Sequence, residues 1–215
     1  MSRHAVTADD LAHQSHAGHL HYDPISKRIG MWLFLFTEVL LFGICFLGYA
    51  VYLHQYRAEF QELSAHLDLV LGAVNTGVLL TSSLTMALAI AALSRGEKGK
   101  SLMLMGATLV FAAGFVVIKS FEWGHKFELG IYPKSPAVME MPVGDQVFYG
   151  LYFTMTGLHA LHVAIGAIVI VVSMILVKLD RVRQEKMAML ENVGLYWHLV
   201  DLVWIFLFPL FYLIG

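Results

Sequence analysis

FYGLYFTMTGLHALHVAIG, residues 148–166, sits inside a longer run, 147–177, that holds no Asp, Glu, Lys or Arg. Such a run is long enough to cross a bilayer as a helix. It also carries His159 and His162 near its middle. Imidazoles at that depth are costly unless they face protein, so this helix needs polar partners on its neighbours. The chain offers Glu38, Glu122, His198 and Asp201.

Working outward, the composition repeats the message. Of the 215 residues 58% are hydrophobic and 14% charged, and the mean hydropathy is +0.69, too apolar to wrap a soluble core of this size. Lipid leaves helices and closed barrels as spanning structures, and the apolar runs here are too long for barrel strands. The expected class is therefore all-α: a polytopic membrane protein with a five-helix bundle. Its spans fall at about 29–53, 69–93, 101–121, 147–177 and 193–215, in one domain of residues 27–215. A single cysteine, Cys45, excludes an intrachain disulfide and reads as a packing residue. A net charge of −2 points away from nucleic acid.

Residues 1–26 form a polar tail with His4, His13, His16, His19 and His21. A solvated tail is the preferred reading and divalent-metal binding the alternative. The polar start also argues against a cleavable signal peptide. Lys and Arg are unevenly distributed, ten on the side of the amino-terminal tail against three on the other, with Lys119 in or near the third span. The positive-inside rule then places the amino terminus in the cytoplasm and the carboxyl end outside.

Within the first span the single charge is Glu38, roughly 13 Å along the helix from the end that enters the membrane. That depth puts it in reach of His162 or of the His198/Asp201 pair, whose members are three apart on one helix face. The second span, with Asn75, Thr76, Thr81, Ser82, Ser83 and Thr85, is read as packing and interhelical hydrogen bonding. The third ends in Lys119, Glu122, Trp123, His125 and Lys126, where Lys119 can snorkel or pair with Glu122 and Trp123 can meet headgroups. Pro133, Pro136 and Pro142 mark a connection of about 24 residues. Trp32, Glu122, Trp123, Arg181 and Arg183 are candidate lipid or interface positions. The charges of Arg181, Arg183 and Lys186 are equally explained by topology.

Three classes of function fit such a constellation. Buried carboxylates and histidines serve proton relays or simply glue helices. Bis-histidine haem would need His159 or His162 opposite His198. Transport would call for broken helices or internal repeats, which are not seen. No nucleophile elbow, phosphate loop, zinc-protease motif or dinucleotide fingerprint is present, so no catalytic residue and no metal ligand is assigned, and an accessory subunit is favoured.

Four segments are more specific than the physics. RIGMWLFLFTEVLLFG at 28–43, FEW at 121–123, TGLHALHVAIG at 156–166 and YWHLVDLVWIFLF at 196–208 resemble, in order, the characteristic segments of cytochrome c oxidase subunit III. The resemblance covers residues 27–215. It implies a redox-inert subunit of a haem-copper terminal oxidase in a bacterial cytoplasmic membrane, packed on subunit I beside subunit II, with haem and copper held by those partners and none here. It implies support of subunit I against turnover inactivation, help with proton uptake and binding of phospholipid. The family's carbodiimide-reactive carboxylate matches Glu38, its paired histidines His159 and His162, and its last-helix pair His198 and Asp201. Mitochondrial members have seven helices, with a lipid-filled cleft behind the first two, so here another chain, such as extra helices on subunit I, would supply the missing wall. NTGVLLTSSLTMALA at 75–89 looks like bacterial forms. Quinol and cytochrome c oxidases share this subunit, and an accessory protein of nitric-oxide reductases is the runner-up, ahead of a haem-binding anchor.

Overall fold

The computed structural model describes residues 24–183 and 187–214. These form seven helices and no strand: α1 Pro24–Gln55, α2 Arg57–Ala65, α3 Leu69–Ser94, α4 Lys98–Glu128, α5 Pro136–Met139, α6 Val143–Lys178 and α7 Ala188–Tyr212. Five of them are long and apolar enough to cross a membrane: Ile29–Gln55 within α1, then α3, α4, α6 and α7. The expected all-helical, five-span architecture is therefore present. The histidine-bearing residues 1–23 of the tail and Lys186 lie outside the described residues, and α1 already starts at Pro24.

The chain divides into residues 1–34 and 35–215. In the first unit the described part is the opening of α1, where Trp32 is exposed. In the second, α3 packs on α4 and α7, α7 on α6, and α6 on α4, so these four helices close a ring. From Leu35 onward α1 meets the ring through side chains. Phe42 lies edge-on to His162, Phe46 tilts against Phe206, and Tyr49 packs on Phe60 and Phe211 while its hydroxyl donates to the Leu210 carbonyl.

Helix ends follow local chemistry. Asp68 caps α3, its carboxylate accepting from Leu71 N at 3.0 Å, and Ser135 caps α5 by accepting from Val138 N at 3.2 Å. α4 runs seven residues past the end expected from hydropathy, to Glu128, because Lys119, Glu122 and Lys126 find partners or cover inside the bundle. It stops at Gly130, whose φ of 72° permits the paired bonds Gly130 N to Phe127 O and Ile131 N to Lys126 O. The connection to α6 is thus residues 129–142 with α5 inside it, shorter than the expected 24 residues. α7 starts at Ala188, ahead of the expected 193, because Leu190 and Val193 are already buried. Between α6 and α7, Lys98 Nζ donates to Asp180 Oδ1 at 2.8 Å and to the Lys178 carbonyl at 2.9 Å, capping the end of α6. That hydrogen bond holds the exposed Asp180 carboxyl below the usual carboxylate range.

The ring is closed where backbone meets indole. A Cβ on Gly166 of α6 would lie 2.8 Å from Trp197 Cε3 and 3.2 Å from Tyr196 Cε1. Trp197 cannot give way, since it is fully buried and its Nε1 donates to Ser82 Oγ at 2.9 Å. Gly166→Ala is therefore expected to cost about 1–3 kcal/mol through overpacking. Gly77→Ala, with nothing within 4 Å of the added carbon, should be neutral. Thermal inactivation of the detergent-solubilised protein distinguishes the two.

Candidate functional site

Among the described residues, three groups of buried polar side chains join helices that hydropathy alone would make inert. The first is Glu38 on α1 with His162 on α6. His162 Nε2 is 2.8 Å from Glu38 Oε2, and His162 Nδ1 is 2.7 Å from the Leu158 carbonyl. A carbonyl only accepts, so Nδ1 carries a proton. Nε2 then has two choices: it accepts from a protonated Glu38, or, as imidazolium, it donates to a Glu38 carboxylate. Both states are net neutral and share one proton along the Nε2 to Oε2 axis. That sharing offsets the desolvation of an acid in the membrane interior. Of the two reaches considered for Glu38, the structure forms the one to His162.

The second group is on α7 and α3. His198 does not approach Glu38; its Nδ1 is 2.6 Å from Ser83 Oγ. Asp201, one turn on, is buried, and neither carboxyl oxygen has a hydrogen bond of ordinary geometry among the described residues.

The third group joins α4, α6 and α7. Lys119 Nζ donates to Glu122 Oε2 at 3.1 Å, to Tyr152 OH at 3.1 Å and to Tyr212 OH at 2.8 Å. Both tyrosines in turn donate to Glu122 Oε1. The ammonium also lies 5.0 Å from the ring centre of Tyr152 and 5.3 Å from that of Trp204. With three donors used and aromatic faces around it, the lysine is buried and does not snorkel. The internal Lys119 to Glu122 contact weighed from sequence is formed. Trp123 is half-buried against Phe153, with its indole nitrogen buried.

Between these groups sits His159, fully buried against Phe115 and Trp204, with both ring nitrogens lacking a hydrogen-bond partner among the described residues. The three imidazoles thus occupy separate surroundings: a carboxyl for His162, a serine for His198, aromatic rings for His159. Among the described residues no group of three or more His, Cys, Asp or Glu is arranged to hold a metal ion. Arg181 and Arg183 lie exposed beyond α6, where Arg183 Nε donates to the Asp180 carbonyl at 2.9 Å.

Sequence reasoning missed Tyr152 and Tyr212 as partners of Lys119 and Glu122, whereas Ser83, expected with its span to make interhelical hydrogen bonds, does bond His198 on α7. Hydroxyls on uncharged spans were the available signal, and they read as packing. Elsewhere on α3, Ser82 accepts from Trp197, Thr76 accepts from Trp204 Nε1 at 3.0 Å and Thr85 bonds Thr108 at 2.8 Å, while Thr81 bonds the Gly77 carbonyl of its own helix and buried Asn75 has no hydrogen-bond partner among the described residues.

Comparison with known proteins gives the arrangement a family. The profile described as Cytochrome c oxidase subunit III matches residues 6–215. The chain is 29% identical over 215 residues to cytochrome bo(3) ubiquinol oxidase subunit 3 of Pseudomonas aeruginosa, covering 100% of this chain and 97% of that protein. It is 31% identical over 191 residues to cytochrome c oxidase subunit 3 of Bacillus subtilis, covering 88% and 87%. It is 30% identical over 215 residues to the haem-copper oxidase subunit I+III of Aeropyrum pernix, covering 92% of this chain and 24% of that longer protein. A match along nearly the whole chain, on a five-span helical protein with a buried carboxyl and paired histidines, means that this chain belongs to the cytochrome c oxidase subunit III family.

Proposed function

We propose that the chain works as the redox-inert third subunit of a haem-copper terminal oxidase, packed on subunit I with subunit II in the same complex, in a bacterial cytoplasmic membrane. Haem and copper belong to the partner subunits, and phospholipid fills the contacts that protein does not. The fusion of subunits I and III named for the Aeropyrum pernix relative supports direct packing on subunit I. The excess of Lys and Arg on the amino-terminal side supports a cytoplasmic amino terminus. Relatives of both donor types, quinol and cytochrome c, match at about equal identity, so the reading is of the subunit and not of its electron donor.

The observation that carries a role in proton supply is the Glu38 to His162 contact of 2.8 Å. It holds one transferable proton in the membrane interior, fixed to α6 by the Leu158 carbonyl. In this reading the pair supports proton uptake by subunit I and steadies the face that subunit I packs on, so that the oxidase survives repeated turnover. Glu38→Gln keeps the shape and can donate an amide hydrogen to Nε2 while removing the acid. The expected result is a near-normal initial oxygen-consumption rate followed by several-fold faster loss of activity during turnover. An inactivation rate equal to that of the unaltered oxidase would show that Glu38 has no such role.

A further inference from the structure

The imidazole of His162 is held at both nitrogens, by the Leu158 carbonyl at Nδ1 and by Glu38 at Nε2. Its backbone is held as well, by a hydroxyl from another helix: buried Tyr196 of α7 donates to the His162 carbonyl at 3.1 Å. A carbonyl inside a helix accepts from the amide four residues on, and the side chain of that residue leans back over it. Four residues on from His162 is Gly166. With no Cβ there, the second lone pair of the carbonyl stays open to α7. A Cβ at Gly166 would lie 3.2 Å from Tyr196 Cε1, on the ring that brings the hydroxyl in. The stretch HVAIG, which sets His162 and Gly166 about one turn apart, thus builds the opening that Tyr196 fills.

From α1 come Glu38 and Phe42, whose ring stands edge-on to the imidazole with centroids 5.2 Å apart. From α7 comes Tyr196, and α7 is itself fixed to α3 at the next residue, where Trp197 Nε1 donates to Ser82 Oγ. We propose that Tyr196 is a positioning residue for the Glu38 to His162 pair: its hydroxyl, reaching the His162 carbonyl past Gly166, sets how close Nε2 stands to Oε2 and hence where their shared proton rests. At 2.8 Å the pair is at the short, charge-assisted end of the range. A longer separation weakens the bond and settles the proton on one partner. Tyr196 neither takes up nor releases a proton in this role, since it donates to a carbonyl, which only accepts. The use of a set position rests on the proton-supply role proposed for the pair, whereas the positioning rests on the contact between α6 and α7.

The protein is used as purified from its membrane with the subunits it carries. Isotope-edited infrared spectra of the glutamate carboxyl groups identify the Glu38 band, acid or carboxylate, as the one that Glu38→Gln removes. In Tyr196→Phe, which keeps the ring, that band should shift, to higher frequency where Glu38 carries the proton. A ring-fluorinated tyrosine at position 196, a stronger donor of nearly the same shape, should shift it the opposite way, and decides the matter where Tyr196→Phe does not assemble. Ser64→Ala is the control for losing a hydroxyl-to-carbonyl bond as such. Ser64 Oγ donates to the Phe211 carbonyl at 2.7 Å, about four turns along α7 from Tyr196. Its loss should lower thermal stability comparably and leave the band in place. During turnover Tyr196→Phe should lose activity several-fold faster than the unaltered oxidase. A Glu38 band unmoved by both changes at Tyr196, or moved as far by Ser64→Ala, would overturn the positioning role. The band is read without turnover, so an unchanged inactivation rate in Glu38→Gln removes the proton-supply role while the band still decides on Tyr196.

Discussion

Replacing Lys119 by Met is expected to abolish recovery of assembled protein or to lower its stability by about 3–5 kcal/mol, the cost of breaking a buried ion pair from one side. Glu122 would remain buried with the two tyrosine hydroxyls and no ion-paired ammonium in contact with it. Tyr152 and Tyr212 would each lose a donor that fixes their oxygens. The double replacement Lys119→Met with Glu122→Gln removes both charges together and should recover much of the loss, because the pair must also overcome the desolvation of two ions. Yield after membrane extraction and the thermal unfolding profile measure both. Equal behaviour of the single and double variants would mean that the charges are not coupled.

Trp197→Ala should have an effect of similar size for a different reason. The indole is fully buried, fills the space that Gly166 leaves on α6, and reaches Ser82 on α3. Truncation leaves a cavity where three helices meet, and a large aromatic lost from a close-packed interior costs about 3–5 kcal/mol. Trp197→Phe keeps most of the volume and forfeits the hydrogen bond to Ser82, worth about 0.6 kcal/mol on average in membrane proteins. A phenylalanine variant as unstable as the alanine variant would shift the weight from packing to that bond.

Much of this was legible in the sequence because lipid simplifies it. Five apolar runs, three of them broken by a single charge, gave five spans, and counting residues from the membrane edge put Glu38 within reach of His162 or of the last-helix pair. Choosing between His162 and the last-helix pair was beyond such counting, since it depends on how each helix is rotated. His198 turned instead to Ser83, on a span whose hydroxyls looked uniform. Lys119 and Glu122 are near in sequence and their contact could be anticipated. Their burial could not, because Tyr152 and Tyr212 come from two other helices and only tertiary packing brings the hydroxyls together. The same cause extended α4 to Glu128: hydropathy ends a span where charges cluster, as at residues 122–128, whereas satisfied charges need not end it.

The two indole bonds from α7 to α3 form a vernier. Trp197 and Trp204 are two turns apart and read Ser82 and Thr76, also about two turns apart on the antiparallel neighbour. Sliding either helix by one turn breaks both bonds at once and buries two indole hydrogens without acceptors. Rotation is blocked as well, because Trp197 is wedged against the bare backbone of Gly166. The α3–α7 pair therefore has one register and no neighbouring alternative, which makes it a fixed ruler inside the subunit. Any adjustment to a partner chain has to be made elsewhere, on side chains that are not keyed to this pair.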